Sequence, residues 1–148
     1  MLDIKKLLCY FINTVATYYS KEDEVLYNFQ KETPIYLQLM DEIKGMIVRG
    51  TLAPGAKIDS IRELASFYAV NPNTVQRALS ELEREGLIST KRASGKTVTE
   101  DTRMIQDLRE RLAADRLESC LSSMEALGYT REETASLFIQ AFRQKELS

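Results

Sequence analysis

The chain has no histidine and no tryptophan, and only two cysteines and three prolines among its 148 residues. Without histidine it lacks the commonest general base and the commonest zinc ligand. Cys9 and Cys120 lie far apart and neither belongs to a CxxC pair, so metal-ligand spacing is missing and no metal is expected. Both read as free thiols of a reducing compartment. There is no glycine-rich phosphate loop. The carboxylates Glu81, Glu83 and Glu85 read as a solvated helix face. No catalytic constellation emerges from these residues, so neither an enzyme nor a cofactor is expected.

Long apolar runs are missing too. Residues 7–19 (LLCYFINTVATYY), preceded by Lys5 and Lys6, have the outline of a signal peptide. The stretch is too short to span a bilayer, is diluted by Asn13, Thr14 and Thr17, and is followed by no small-x-small cleavage site. It reads as an amphipathic helix of a cytoplasmic protein, with a membrane-surface role as the lesser reading.

Hydrophobic residues make up 44% of the chain, enough for a packed core. The formal net charge is −2, which by itself argues weakly against a nucleic-acid partner. Its distribution is more informative. Residues 1–33 carry four basic and five acidic groups, residues 34–100 nine and eight, and residues 101–148 seven and nine. Only the middle segment is net positive. The three segments read as an N-terminal extension (1–33), a folded domain (34–100) and a helical tail (101–148).

Within the middle segment, Thr33-Pro34 gives a helix start, with threonine as the cap and proline at the first helical position. Ile35, Leu39, Ile43, Met46 and Ile47 follow on one helical face, and Gly50 closes the helix. Pro54-Gly55 makes a tight turn, and residues 57–59 a short extended piece. Ser60 with Glu63 forms a capping box that starts a second helix, with Ile61, Leu64, Ala65 and Tyr68 inward. Asn71 caps a third helix, with Pro72 at its first position and Val75, Ala78, Leu79 and Leu82 as its apolar stripe. The link 69–71 between these two helices gives the helix-turn-helix outline. Residues 87–90 and 97–99 read as strands around a turn at Gly95, a hairpin wing.

The tail carries Ile105, Leu108, Leu112, Leu117, Leu121, Met124 and Leu127 along one long helix that stops at Gly128. Thr130 with Glu133 caps a last helix bearing Ala135, Leu137, Phe138, Ala141 and Phe142. Two amphipathic helices cannot bury both stripes alone, so a symmetric partner is expected. The expected dimerisation set is Ile105, Leu108, Leu112, Leu117, Leu121, Leu137, Phe138 and Phe142. The fold class is mostly α with a small β-hairpin: a winged helix-turn-helix domain plus a two-helix dimerisation tail.

A recognition helix presents short polar and basic side chains at the end that enters the major groove. Here that end offers Asn71, Asn73, Thr74, Gln76 and Arg77. Ser60 and the solvent-facing Arg62 open the preceding helix; a surface ion pair with Glu63 or Glu81 is the plain alternative for Arg62. The wing adds Lys91, Arg92, Ser94 and Lys96 around Gly95, three cations in six residues with no acid among them. Coupled to the helix pair, that patch favours phosphate or minor-groove contact.

The run PIYLQLMDEIKGMIVRGTLAPGAKI, then SIRELASFYAVNPNTVQRALSELEREGLI, then the basic wing, resembles the DNA-binding domain of the GntR family of bacterial transcription regulators. The resemblance covers nearly half the chain. It implies that Arg62, in the S-x-R-E-L start opened by Ser60, contacts DNA. It also implies that Asn73, Thr74, Gln76 and Arg77 form the recognition face, and that the Gly95 backbone approaches the minor groove. Two departures stand out. Ile58-Asp59 replaces the usual Leu-Pro, placing an acid near the phosphates, and a second wing glycine near Ala93 is missing. The short tail resembles the YtrA subfamily, which implies a homodimeric repressor on a pseudo-palindromic duplex operator, often of an ABC-transporter operon. Residues 1–33 depart from that subfamily, as either an extra helix or a stretch upstream of a later start such as Val25. A small-molecule sensor with its effector between the tails, and a winged-helix protein-interaction module, stand as alternatives; no effector is legible.

Overall fold

The computed structural model describes residues 29–146. Its elements are α1 (Ile35–Arg49), α2 (Ile61–Phe67), α3 (Pro72–Arg84), β1 (Ile88–Lys91), β2 (Gly95–Val98), α4 (Thr102–Ala126) and α5 (Arg131–Glu146). They fall into two compact units that divide within α4, between Ala113 and Ala114. Among the described residues no helix is long and apolar enough to cross a membrane. The expected helix at residues 7–19 lies outside the described residues, as does Cys9.

The first unit is built from local signals. Ser60 and Glu63 form a complete capping box: the Ser60 hydroxyl accepts the Glu63 amide and the Glu63 carboxylate accepts the Ser60 amide. That pairing also holds the Glu63 carboxyl below its ordinary value. Asn71 caps α3 through Oδ1, which accepts the Asn73 amide, with Pro72 at the first position. Gly50 ends α1 in the left-handed region at φ 80°. The start of α1 corrects the expectation. Pro34, not Thr33, holds the cap position, with extended ψ and no side-chain cap. The Pro34 carbonyl takes the Leu37 and Gln38 amides, while the Gln38 side chain folds back to the Gln30 and Thr33 carbonyls.

The linker between α2 and α3 contains Ala69 at φ 52°, the one non-glycine with positive φ among the described residues. A side chain there costs about 1 kcal/mol or more. The reversal it permits brings α3 back across α2.

These helices and the hairpin enclose one core. Leu39, Ile43 and Ile47 of α1, Leu64, Ala65 and Tyr68 at α2, and Val75, Ala78, Leu79 and Leu82 of α3 are buried with Leu87, Ile88 and Val98. Ile35 stands out of it at the first turn of α1, and Met40 is buried instead. Burial pushes the Tyr68 hydroxyl up to about 12. The antiparallel hairpin pairs Ile88 with Val98 and Lys91 with Gly95. The segment before α2 adds a rudimentary third strand: Lys57 bridges Thr97, and the Ile58 amide donates to the Lys96 carbonyl.

The first half of α4 closes this unit. Asp101 caps it by accepting the Arg103 and Met104 amides. Leu108 is buried in the same core, with Met104, Ile105 and Leu112 packed against it. The expected dimerisation surface therefore loses Leu108, whose side chain is consumed within its own chain.

The second unit is the remainder of α4 and α5. Thr130 and Glu133 form the expected capping box, and Gly128 turns the chain at φ 89°. Arg131 bridges Glu118 and Glu125 at 2.9 and 3.0 Å, which raises its already high pKa. Cys120 is a free thiol, and burial pushes it above its ordinary value. Leu117, Leu127, Ile139 and Phe142 are exposed; Leu121, Leu137 and Phe138 are half-buried.

Thr97 is buried, and its hydroxyl has no hydrogen-bond partner among the described residues. An unmet buried hydroxyl costs roughly 1–3 kcal/mol, and an apolar isostere removes that cost. Thr97→Val is expected to stabilise the domain by about 1 kcal/mol, read as a higher urea midpoint at unchanged slope. A lower midpoint would show that the hydroxyl has a partner after all.

Candidate nucleic-acid interface

Three groups of side chains stand on the surface of the first unit, and each is placed by a different local device. The capping box sets the start of α2, leaving Arg62 exposed behind Ser60. The Asn71 cap and Pro72 set the start of α3. Val75, Ala78, Leu79 and Leu82 face the core, so the 3.6-residue period turns Asn73, Gln76, Arg77 and Ser80 outward. Thr74 lies between the two faces, half-buried. The hairpin carries Arg92, Ser94, Gly95 and Lys96 at its turn. Gly95 has φ 75°, and among the described residues nothing beyond its chain neighbours lies within 4 Å of where a side chain would begin, so that side of the turn is open to an approaching partner.

Among the described residues, the side chains of Arg62, Asn73, Gln76 and Arg92 make no hydrogen bond or ion pair. The alternative ion pairs of Arg62, with Glu63 or Glu81, do not form; Glu63 serves the capping box and Glu81 pairs with Arg84. These donors are free for an external acceptor. The Arg77 guanidinium carbon lies over the Tyr36 ring, 3.8 Å from its centroid, a cation–π contact that joins the start of α1 to the start of α3. Ser60 and Asn71 each use an oxygen lone pair on capping, and the Ser60 hydroxyl proton and the Asn71 amide NH2 are the donors they can offer DNA.

The wing differs from its sequence reading. Lys96 is not a free cation: its ammonium sits 2.6 Å from Glu83 of α3 and 3.0 Å from the Thr90 hydroxyl. The same Glu83 carboxylate accepts the Thr90 amide at 3.0 Å and the Thr90 hydroxyl at 2.7 Å. Thr90 lies opposite Lys96, and its amide points away from β2, so the carboxylate satisfies a donor the ladder leaves over. Lys91 also has a partner, Glu100, at 3.7 Å. The acids read as a solvated face are thus all engaged: Glu81 with Arg84, Glu83 with the wing, Glu85 with Lys44 of α1. They neutralise the C-terminal half of α3 and leave its N-terminal half to the uncharged amides and Arg77. No local pattern announces the Glu83 clamp or the Tyr36 stack, since both join residues that meet only in the folded chain.

Lys96 and then Thr90 hold the Glu83 carboxyl below its ordinary value of 4.5. A carboxyl so depressed contributes stability above its unfolded pKa and loses it as pH falls through the lower folded value. The clamp is therefore closed at neutral pH. Glu83→Ala is expected to speed hydrogen exchange at the Thr90 amide several-fold while lowering global stability by no more than about 1 kcal/mol. Unchanged exchange at Thr90 would mean that the ladder alone holds the wing.

The arrangement of three helices, a hairpin and an open α3 start is that of known DNA-binding regulators. The family model for bacterial regulatory proteins of the gntR family matches residues 35–98. The HTH-type transcriptional regulator YhcF of Bacillus subtilis is 43% identical over 105 residues, 71% of this chain and 87% of the relative. The chain belongs to the GntR family. The HTH-type transcriptional repressor YtrA of Bacillus subtilis is 43% identical over 74 residues, 50% of this chain and 57% of YtrA. A GntR family transcriptional regulator from Listeria monocytogenes superposes with a TM-score of 0.69 at 40% identity, covering 76% of this chain and 98% of that one. A transcriptional regulator from Oenococcus oeni gives 0.63 at 27% identity, covering 81% and 99%. As a GntR-family member the protein is a DNA-binding transcription regulator.

Proposed function

We propose that this GntR-family protein is a cytoplasmic, non-catalytic repressor. In this reading it acts as a homodimer on a pseudo-palindromic operator and controls a transporter operon. Each protomer inserts the start of α3 into a major groove. Asn73 and Gln76 offer the amide pattern that pairs with adenine, and Arg77 the fork that pairs with guanine. Arg62 at the start of α2 and Arg92 on the wing reach phosphates, and the open backbone at Gly95 approaches the minor groove. Two such halves across a two-fold axis read two half-sites, and occupancy of the promoter excludes polymerase.

The observation that carries the reading is the open start of α3. Its outward side chains include unpartnered donors, while every acid on its C-terminal half already has a cation. Exposed Leu117, Ile139 and Phe142 on the tail support a second copy as the partner that covers them. The test is fluorescence anisotropy with the full chain against its own upstream promoter duplex and a scrambled duplex, over a salt series, with light scattering for mass. Tighter binding to the promoter, weakening as salt rises, by a species of twice the chain mass supports the reading. Equal binding to both duplexes, or a monomer on the promoter, removes it.

A further inference from the structure

We propose that Tyr36 is a positioning residue for base recognition: its ring holds the Arg77 guanidinium in the orientation that reads the operator. This rests on the recognition-helix reading above and adds a residue of α1 to it. The guanidinium carbon lies 3.8 Å from the ring centroid, and Arg77 makes no ion pair among the described residues. Tyr36 is the group that orients it.

The geometry suits that role. The attraction acts across the flat face of the guanidinium, whereas its five N–H donors lie in the plane. A guanidinium held face-on to a ring spends none of its donors on it and keeps an edge for a bidentate pair with guanine. An unrestrained arginine samples many rotamers and loses most of them when it docks on a base edge; one already stacked loses fewer. Tyr36 can impose this order because it is itself held, in the first turn of α1 just after Pro34 and packed against the core.

The consequence is selective. Orientation matters for a two-pronged contact with a base edge and little for a charge beside a phosphate. Loss of the ring should lower discrimination between base pairs more than it lowers affinity for DNA in general. A residue that only filled space would change stability and leave the ratio alone.

The test begins with a duplex selected from a randomised pool by the full-length protein. Anisotropy titrations of that duplex and its single-base variants are then run with wild type, Tyr36→Phe, Tyr36→Leu, Arg77→Ala and the Tyr36→Leu/Arg77→Ala double variant. Thermal melts accompany each, and Tyr36→Met substitutes should the leucine variant melt below the assay temperature. Tyr36→Phe is expected to keep the wild-type ratio. Tyr36→Leu is expected to lower discrimination roughly three- to ten-fold at the base pair that Arg77→Ala relaxes, and to add nothing in the Arg77→Ala background. A Tyr36→Leu ratio equal to wild type, an equal loss on every duplex, or an effect that persists without Arg77 overturns the proposal. Should Arg77→Ala itself leave every ratio intact, the recognition-helix reading fails first and takes this one with it.

Discussion

Arg77→Ala is expected to cost about 1–3 kcal/mol of binding to the selected operator, a loss of roughly five- to 160-fold, and to flatten base preference at one pair per half-site. Affinity for scrambled duplex should change far less. The asymmetry follows from where Arg77 sits. It stands one turn into α3, exposed, its guanidinium over the Tyr36 ring. Arg92 provides the control. It is exposed on the wing turn and makes no ion pair among the described residues, so Arg92→Ala should weaken all duplexes alike. Competition titrations with single-base variants separate the two behaviours. Equal loss on specific and scrambled duplex for Arg77→Ala would reassign Arg77 to phosphate contact.

The second large effect is on stability. Leu82→Ala is expected to destabilise the protein by roughly 2–5 kcal/mol, a large part of the total for a domain of this size. Leu82 is completely buried on the core face of α3, among the side chains that hold that helix against α1, α2 and the hairpin. Truncation leaves a cavity that rigid neighbours fill only partly. Urea unfolding gives the number, and operator binding should fall with it because the reading helix loses its support. A loss under about 1 kcal/mol would mean that the site collapses around the smaller side chain.

What could be read from the sequence was local. Ser60 with Glu63, Asn71 with Pro72, and Thr130 with Glu133 each satisfy helix amides within three residues, so their chemistry is written in adjacent letters. The core faces of α2 and α3 followed from the same helical period. The misreading at Thr33-Pro34 was also local: proline with extended ψ holds the cap position itself, its carbonyl accepts the Leu37 and Gln38 amides, and no side chain caps the helix. The larger misses were long-range. Glu83 looked like one acid in a charged row until the hairpin folded over it. Lys96 looked like a free cation for the same reason. Tyr36 carried no pattern at all. The apolar stripe of α4 appeared continuous, yet Leu108 belongs to the winged unit while Leu117 stays exposed. Periodicity reports which face is apolar, not what that face meets.

The Glu83–Lys96 pair has a thermodynamic consequence for the whole complex. A protein cation that docks on a phosphate displaces condensed counterions, and each such contact steepens the dependence of log affinity on log salt by about 0.9. Five cations line the reading face and wing of one protomer: Arg62, Arg77, Lys91, Arg92 and Lys96. Lys91 and Lys96 arrive with their own anions, Glu100 and Glu83, already in place. They displace little. With Arg77 on a base edge, the salt slope of each protomer should therefore correspond to nearer two phosphate contacts, Arg62 and Arg92, than four. Such a regulator draws less on the uniform charge of the duplex and more on the base edges under α3, so it is held less by the bulk of the genome and proportionally more by its own site.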